Sequence, residues 1–238
     1  MNIDAKWLGQ IEYDAAWDLQ KEMVAARIED PELVDEILLL EHPPTYTLGR
    51  SGKLEHLLLS EEKWESQGFS VRWVDRGGDI TYHGPGQLVG YPIINLKRFF
   101  DLQGFDRPDL HRYLRNLEEV IIQALATFDI VGWRYDGYTG VWVDCGDEPR
   151  KIAAIGVRVN SKGISSHGFA LNVTPDMSHF GNIVPCGISE HGVVSMAEIL
   201  ERPLSTTDLL QPITEAFSQV FEIPINSEQV AVNSNQPD

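Results

Sequence analysis

The stretch DRGGDITYHGPGQLVGYPI, residues 75–93, places five glycines and two prolines around a single histidine and ends in an apolar run. Glycine loses more conformational entropy on folding than any other residue, so a cluster this dense needs a structural or functional cause. The flanking segments 69–74 and 87–96 have the alternating and apolar patterns that are typical of strands. We therefore predict two strands joined by a segment that turns tightly, brings its backbone close to a bound molecule, or does both.

Outside this stretch, the spacing of apolar residues predicts both helices and strands. Helical periodicity, caps and stop signals predict helices at 14–29, 60–68, 108–128, 195–201 and 206–221. Short apolar or alternating runs predict further strands at 36–42, 131–135, 139–144, 151–159 and 165–173. Because the two kinds of element do not alternate strictly, the expected fold class is α/β (α+β), a mixed β-sheet flanked by helices. We expect one domain over residues 1–225 and a frayed tail over residues 226–238.

The composition is that of an ordinary globular protein, with 42% hydrophobic and 23% charged residues over 238 positions. A net charge of −17 argues against non-specific nucleic-acid binding, which requires a basic surface. The sequence contains no apolar run of about 18 residues that would predict a membrane span. The first residues lack the features of a secretory signal, and the two cysteines give no sign of an oxidising compartment. We expect a cytoplasmic protein without nucleic-acid or membrane partners.

The two cysteines differ in their suitability as nucleophiles. Cys186 lies between Pro185 and Gly187, and a cysteine in such a turn is more accessible than one inside a strand. Most structural cysteines are nevertheless buried and inert, so position alone leaves the role of Cys186 open. Cys145 is surrounded by acidic residues, which raise the pKa of a thiol and disfavour the thiolate. Cys186 is therefore the better candidate.

Lysine and histidine residues offer partners for such a nucleophile. Lys151 precedes the apolar segment IAAIGV. A lysine at a strand end is usually just solvated, but one held beside a thiol accepts its proton or stabilises the thiolate. His83 and His167 each precede a glycine, where a histidine either bonds the backbone of a turn or acts as the base of a Cys–His pair. Because no pair of histidines has the spacing of a metal site, we expect no metal.

Several motifs resemble, in the same order, those of the lipoyl(octanoyl) transferase family, the lipoate-protein ligase B type. They are HPPTYTLGR at 42–50, the glycine-rich stretch from residue 76, KIAAIGVRV at 151–159, SSHGFALNV at 165–173 and VPCGI at 184–188. The resemblance extends over about residues 10–205. No single motif is decisive, but their order and spacing together make a chance match improbable.

The resemblance implies a fold shared with biotin and lipoate ligases and an acyl transfer that needs no ATP or other cofactor. The implied donor is octanoyl-acyl carrier protein, and the implied acceptors are lipoyl domains of 2-oxoacid dehydrogenase complexes and the glycine cleavage H protein. The cysteine that carries the acyl group in this family corresponds to Cys186, and the lysine that tunes it corresponds to Lys151. The resemblance also implies a set of substrate-binding residues, in which His167 is a candidate for orienting the acyl carbonyl. These residues are Arg76, Gly77, Gly78, Asp79, Ile80, Thr81, Tyr82, His83, Ala154, Ile155, Gly156, His167, Gly168, Phe169 and Ala170.

Three other functions remain compatible with the sequence. An ATP-dependent lipoate or biotin ligase of the same fold would use the lysine at position 151 without requiring a cysteine at 186. A cysteine hydrolase would release free fatty acid without an acceptor protein. A non-catalytic acyl-binding module would tolerate the loss of Cys186.

Overall fold

The computed structural model describes residues 2–146, 148–184 and 191–229. Within these residues the chain forms ten strands and six α-helices. The strands are β1 (Ile3–Gln10), β2 (Asp35–Glu41), β3 (Thr45–Leu48), β4 (Ser70–Trp73), β5 (Ile80–His83), β6 (Gln87–Ile93), β7 (Val141–Cys145), β8 (Glu148–Val159), β9 (Ser165–Asn172) and β10 (Ile225–Gln229). The helices are α1 (Tyr13–Glu29), α2 (Glu61–Ser66), α3 (Leu96–Leu102), α4 (Leu110–Ala126), α5 (Met196–Leu200) and α6 (Leu210–Phe221).

The strands form two sheets. Seven of them lie in the order β10-β1-β2-β6-β9-β8-β7, and the other three in the order β4-β3-β5. In the large sheet β1 is parallel to β2 and β10, whereas the pairs from β2 to β7 are antiparallel. The mixed sheet predicted from the sequence is therefore confirmed.

Helices cover both faces of the large sheet. On one face α4 and α6 pack together in the main core, where Leu117, Ile121 and Phe217 are fully buried. On the other face α1 contributes Ala16 to a second buried cluster. Strand β2 consequently buries successive residues on opposite faces, which explains why its central residues 37–40 are all apolar rather than alternating. A third cluster lies between the small sheet and the short 3-10 helix Met177–Asn182.

None of the helices in the described ranges has the length and apolar composition needed to cross a membrane.

Two predicted elements were wrong. Residues 131–135 do not form a strand, because only Trp133 bridges Trp142 and the Arg134 side chain turns to Glu118 and Glu119. The C-terminal tail is ordered further than residue 226, because residues 225–229 form β10 at the edge of the large sheet, beside β1. Residues 230–238 lie outside the described ranges.

The Gly168 position provides a test of how closely β6 and β9 must approach. A Cβ atom at this residue would collide with the carbonyl oxygen of Gly90, which is backbone and cannot rotate away. We expect Gly168→Ala to lower the free energy of unfolding by about 3 kcal/mol, the upper end of the usual range for overpacking. Urea denaturation measures this change.

The matched control is Gly181→Ala, because a Cβ atom there would meet no neighbour within 4 Å. Its free energy of unfolding should stay within about 0.5 kcal/mol of the parent value. Equal free energies of unfolding for Gly168→Ala and Gly181→Ala would contradict the close approach of β6 and β9 at Gly168.

Candidate active site

A cavity of about 550 Å³ lies at the centre of the fold. Its walls come from the glycine-rich segment 76–81, from strands β8 and β9, from the first residues of α4 and from the loop 137–139. Among the lining residues, Leu110 and the 137–139 loop are at least partly exposed, whereas Tyr13, Tyr91 and His167 are buried. The cavity is therefore bordered by both exposed and fully buried side chains.

Nearly all of the predicted substrate-binding residues lie in the walls of this cavity. The exception is Tyr82, which faces the opposite side of β5. Its ring packs against Tyr46 and Phe180, and its hydroxyl bonds His179 Nδ1 at 2.7 Å. Because neighbouring residues of a strand point to opposite faces, Thr81 and His83 reach the cavity and Tyr82 does not.

The glycine-rich segment packs directly against β8. The Gly77 N–H donates to the Val157 carbonyl at 3.0 Å, and a Cβ atom at Gly156 would lie 2.9 Å from the Gly77 carbonyl oxygen. Gly78 has a φ of 85°, in the left-handed region that glycine adopts without strain. These glycines therefore allow both a turn and a close approach of two backbones, which form one wall of the cavity.

A chain of buried polar groups begins at Arg76, beneath the glycine-rich segment. Its guanidinium donates to the Thr47 carbonyl at 2.7 Å and to the Thr47 hydroxyl at 2.9 Å. The same hydroxyl lies 3.4 Å from His83 Nε2, and His83 Nδ1 lies 2.8 Å from Gln87 Oε1. An amide oxygen only accepts, so Nδ1 carries the proton and Nε2 accepts from Thr47. Burial, followed by the charges of His42 and Arg76, holds the pKa of His83 well below its usual value.

This series of hydrogen-bonded polar groups continues to the segment that follows residue 190. Gln87 Nε2 donates to Asn172 Oδ1 at 2.9 Å, and Asn172 Nδ2 donates to the Val194 carbonyl at 3.2 Å. Sequence reasoning did not identify Gln87 and Asn172. An amide at a predicted strand position was the available signal, but the bonds from Gln87 to Asn172 and from Asn172 to Val194 join residues more than 20 positions apart along the chain.

Lys151 lies in β8 and contributes to the cavity wall. Its Nζ lies 4.9 Å from the centre of the Trp142 ring, within range of a cation–π interaction. Its backbone pairs with the segment that begins at His191, because the Lys151 N–H donates to Gly192 O and the Val194 N–H donates to Lys151 O. The chain between Val184 and His191 contains Cys186, which lies outside the described residues.

A buried carboxylate holds the loop above Lys151. Glu118 in α4 is fully buried, accepts hydrogen bonds from Arg115 and Arg134, and accepts the Gly140 N–H at 3.1 Å. A Cβ atom at Gly140 would lie 3.4 Å from Cε of Lys151. Glu118 therefore fixes the loop that packs on the lysine side chain. A glutamate beside the apolar stripe of α4 was the signal that sequence reasoning passed over.

A further polar contact joins the lining residue Tyr91 to His42, which is buried outside the cavity wall. His42 Nδ1 lies 2.8 Å from the Ile11 carbonyl and donates to it, so Nε2 accepts from the Tyr91 hydroxyl at 2.8 Å. Burial lowers the pKa of His42 to about 4, and burial raises the pKa of Tyr13 to about 12. Both groups are neutral near pH 7. In the described part of the chain no three histidine, cysteine or acidic side chains are grouped in a way that could hold a metal ion.

Cys145, the other cysteine, is partly exposed and lies outside the cavity walls. Burial raises the pKa of its thiol and outweighs the opposing charge of Arg150, while the charges of Glu198 and Asp144 make smaller contributions in the same direction as burial. The predicted direction is confirmed, although burial rather than acidic neighbours is the larger cause.

The chain is similar to proteins of one family. The model of the lipoyl protein ligase A/B catalytic domain matches residues 12–218. A protein named octanoyltransferase from Rubrobacter xylanophilus is 48% identical, with 91% of this chain and 92% of the relative covered. Another octanoyltransferase, from Cytophaga hutchinsonii, is 44% identical, with 92% and 93% covered.

Solved structures of similar fold come from more distant proteins. A bipartite lipoate protein ligase from Thermoplasma acidophilum has a TM-score of 0.75 at 15% identity, covering 96% of this chain and 87% of the other. A lipoate-protein ligase A bound with ATP has a TM-score of 0.73 at 14% identity, covering 96% and 89%. At this level of identity the likeness shows the fold.

The buried histidines predict how stability changes with pH. The pKa of His42 falls from 6.5 in the unfolded chain to about 4 in the folded one, so below pH 6.5 the unfolded state binds more protons. The free energy of unfolding should therefore fall by about 3 kcal/mol for this group as the pH drops from about 7 to about 4.

Urea denaturation at several pH values, on the parent protein and on His42→Gln, measures this dependence. The variant should lose stability less steeply over this range. His111→Gln is the control, because His111 is exposed on α4 and its replacement should leave the slope unchanged. If the free energy of unfolding fell with pH as steeply in His42→Gln as in the parent, the lowered pKa of His42 would be contradicted.

Proposed function

This chain belongs to the lipoyl protein ligase A/B catalytic domain family, and we propose that it is an octanoyltransferase that modifies lipoyl domains in the cytoplasm. Its donor is octanoyl-acyl carrier protein, and its acceptors are lysines in lipoyl domains of 2-oxoacid dehydrogenase complexes and the glycine cleavage H protein. The observation that carries the proposal is the cavity of about 550 Å³ with Lys151 in its wall. Burying about seven methylene or methyl groups there would contribute roughly 5 kcal/mol.

In the first step the Cys186 thiolate attacks the carbonyl carbon of the donor thioester. The sulfur of the carrier's prosthetic group leaves as a thiol with a proton donated by the Lys151 ammonium, so Lys151 is neutral again and the octanoyl group remains on Cys186 as a new thioester. Lys151 stabilises the attacking thiolate or accepts its proton. The pairing of the Lys151 backbone with residues 192–194 supports this role, because it brings the segment that follows Cys186 beside the lysine strand.

In the second step the amine of the acceptor lysine attacks the octanoyl-Cys186 thioester. An amide forms, the cysteine sulfur leaves, and Lys151 takes the proton that the amine loses. Conversion of a thioester to an amide is favourable without ATP.

An ATP-dependent lipoate ligase is the second candidate, because the solved structures of similar fold include such ligases. The two functions differ in what they require. The ligase would form the amide from a free acid only with ATP, whereas the transferase needs an acyl thioester and no nucleotide. The names of the relatives at 44% and 48% identity favour the transferase.

Cysteine variants test the nucleophile. After mixing with octanoyl-acyl carrier protein, intact mass spectrometry should show one octanoyl adduct on the parent enzyme and none on Cys186→Ala, with loss of transfer to a lipoyl domain. Cys145→Ala is the matched control and should retain both, because burial raises the pKa of its thiol. An adduct that survives in Cys186→Ala would remove this residue from the mechanism.

A lysine variant tests the tuning of the thiol. In Lys151→Ala the Cys186 thiol should titrate nearer its ordinary pKa of about 8.5, so alkylation should be several-fold slower at pH 7 and recover as the pH rises. Transfer to the acceptor amine should recover less, since the second step also loses its proton acceptor.

The measurement is the alkylation rate of Cys186 against pH, beside single-turnover transfer. Lys162→Ala serves as the control, because Lys162 is exposed in the turn between β8 and β9. Superimposable alkylation profiles for the parent and Lys151→Ala would contradict the pairing of lysine and thiol.

A further inference from the structure

A short backbone pairing holds the chain that leads to Cys186. Residues 56–58 pair antiparallel with residues 182–184 through two backbone hydrogen bonds of 2.8 Å. One of these bonds runs from the Val184 N–H to the His56 carbonyl. Val184 is two residues before Cys186 in the sequence. Because two residues of chain span at most about 7 Å, a shift of Val184 also shifts the proposed nucleophile.

The pairing segment itself lies at the surface and has two inward-facing side chains. Of residues 53–58, four are exposed, whereas His56 is half-buried and Leu57 is buried. Leu57 packs in the cluster between the small sheet and the 3-10 helix Met177–Asn182. His56 Nδ1 lies 2.6 Å from Asp79 Oδ2. A carboxylate only accepts, so Nδ1 donates this bond and anchors the segment.

Asp79 connects this anchor to the cavity. It belongs to the glycine-rich wall, and it is 7% exposed. One of its carboxylate oxygens accepts the Ile80 N–H at 2.7 Å, and the other accepts the bond from His56. A buried acceptor that loses its donor raises the energy of the folded state. The wall and the surface segment are therefore held to each other, because moving either one breaks this bond.

We propose that His56 is a positioning residue that, through Asp79, holds the chain before Cys186 in a fixed position against the glycine-rich wall. This inference rests on the proposed function, in which the cavity receives the acyl group and Cys186 attacks it. On the other side of the cysteine, the Lys151 backbone holds residues 192–194. Attack on a thioester requires alignment of the reacting atoms, and a displacement of about 1 Å lowers the rate by up to about a hundredfold.

Single-turnover acylation by octanoyl-acyl carrier protein, followed by intact mass, tests this role. In His56→Leu, which removes the N–H donor, acylation should be about tenfold to a hundredfold slower than in the parent. His56→Asn should stay within about threefold of the parent, because the asparagine Nδ2 is as many bonds from the backbone as the histidine Nδ1 and also donates. Lys53→Ala is the matched control in the same segment and should acylate at the parent rate, because its exposed pair with Glu55 contributes little.

Two further readouts separate positioning from tuning of the thiol. Because Lys151 is the residue proposed to tune the thiol, the midpoint of the Cys186 alkylation profile against pH should be the same in His56→Leu and in the parent. Hydrogen exchange needs no turnover. The Val184 amide should exchange faster in His56→Leu, whereas the Val194 amide, which donates to Lys151, should keep its parent rate.

Asp79→Ala removes the same contact from the other side and covers the case in which His56→Leu does not fold. It should slow acylation at least about tenfold, and adding His56→Leu to it should cause little further loss, since the histidine then has no partner. The proposal would be overturned by a parent-like acylation rate in folded His56→Leu or in Asp79→Ala, by a shifted alkylation midpoint, or by equal rates in the leucine and asparagine variants. A further loss in the double variant as large as that of His56→Leu alone would overturn it as well.

Failure of the proposed function gives a different result. A parent enzyme that forms no octanoyl adduct would contradict the transferase, and the exchange rate of the Val184 amide would then decide the positioning role by itself. A parent enzyme that forms the adduct, with neither acylation nor exchange altered in His56→Leu, would contradict the positioning role alone.

Discussion

The pairing of β8 with the backbone on either side of it is the constraint on which the cavity depends. Along one edge β8 pairs with β9 from Ala153 to Val159, and its Lys151 end pairs with the segment after residue 190. The Gly77 N–H also donates to the carbonyl of Val157 in β8. Three separate parts of the chain therefore meet at one strand, and the absence of a side chain at Gly156 lets the glycine-rich segment approach it. Any change that moves β8 alters all walls of the cavity together.

Buried polar groups connect these walls. Arg76, Thr47, His83, Gln87 and Asn172 form a hydrogen-bonded series in which the chemistry of each partner fixes which atom donates at each step. The series ends on the Val194 carbonyl, close to the lysine strand. A satisfied network of this kind favours one arrangement, because moving any member leaves a buried partner unbonded. It gives the reactive end of the cavity a rigid support although much of the surrounding wall is apolar.

The sequence predicted those features that depend on local pattern. The helices α1 and α4, the strands β8 and β9 and the glycine-rich wall were all visible in spacing and composition. Residues 131–135 have the same apolar character as a strand, but only Trp133 forms a bridge, to Trp142, and the Arg134 side chain bonds Glu118, which lies in α4. Strand β10 is polar and depends on pairing with β1 at the other end of the chain. The roles of Glu118, Gln87 and Asn172 depend on which groups face them, which no local pattern records. Strand alternation separates Tyr82 from Thr81 and His83, but Ile80 on the same side as Tyr82 still lines the cavity, so alternation alone would not have excluded Tyr82.

The central claim is that one acyl group passes through a thioester on the enzyme on its way to the acceptor lysine. The direct measurement is to load the enzyme with octanoyl-acyl carrier protein, remove the carrier, add a lipoyl domain without ATP, and follow both masses with time. The account predicts that the octanoyl mass leaves the enzyme and appears on one lysine of the domain at the same rate. An enzyme-bound octanoyl group that stays in place, or transfer that occurs only when ATP is supplied, would contradict it.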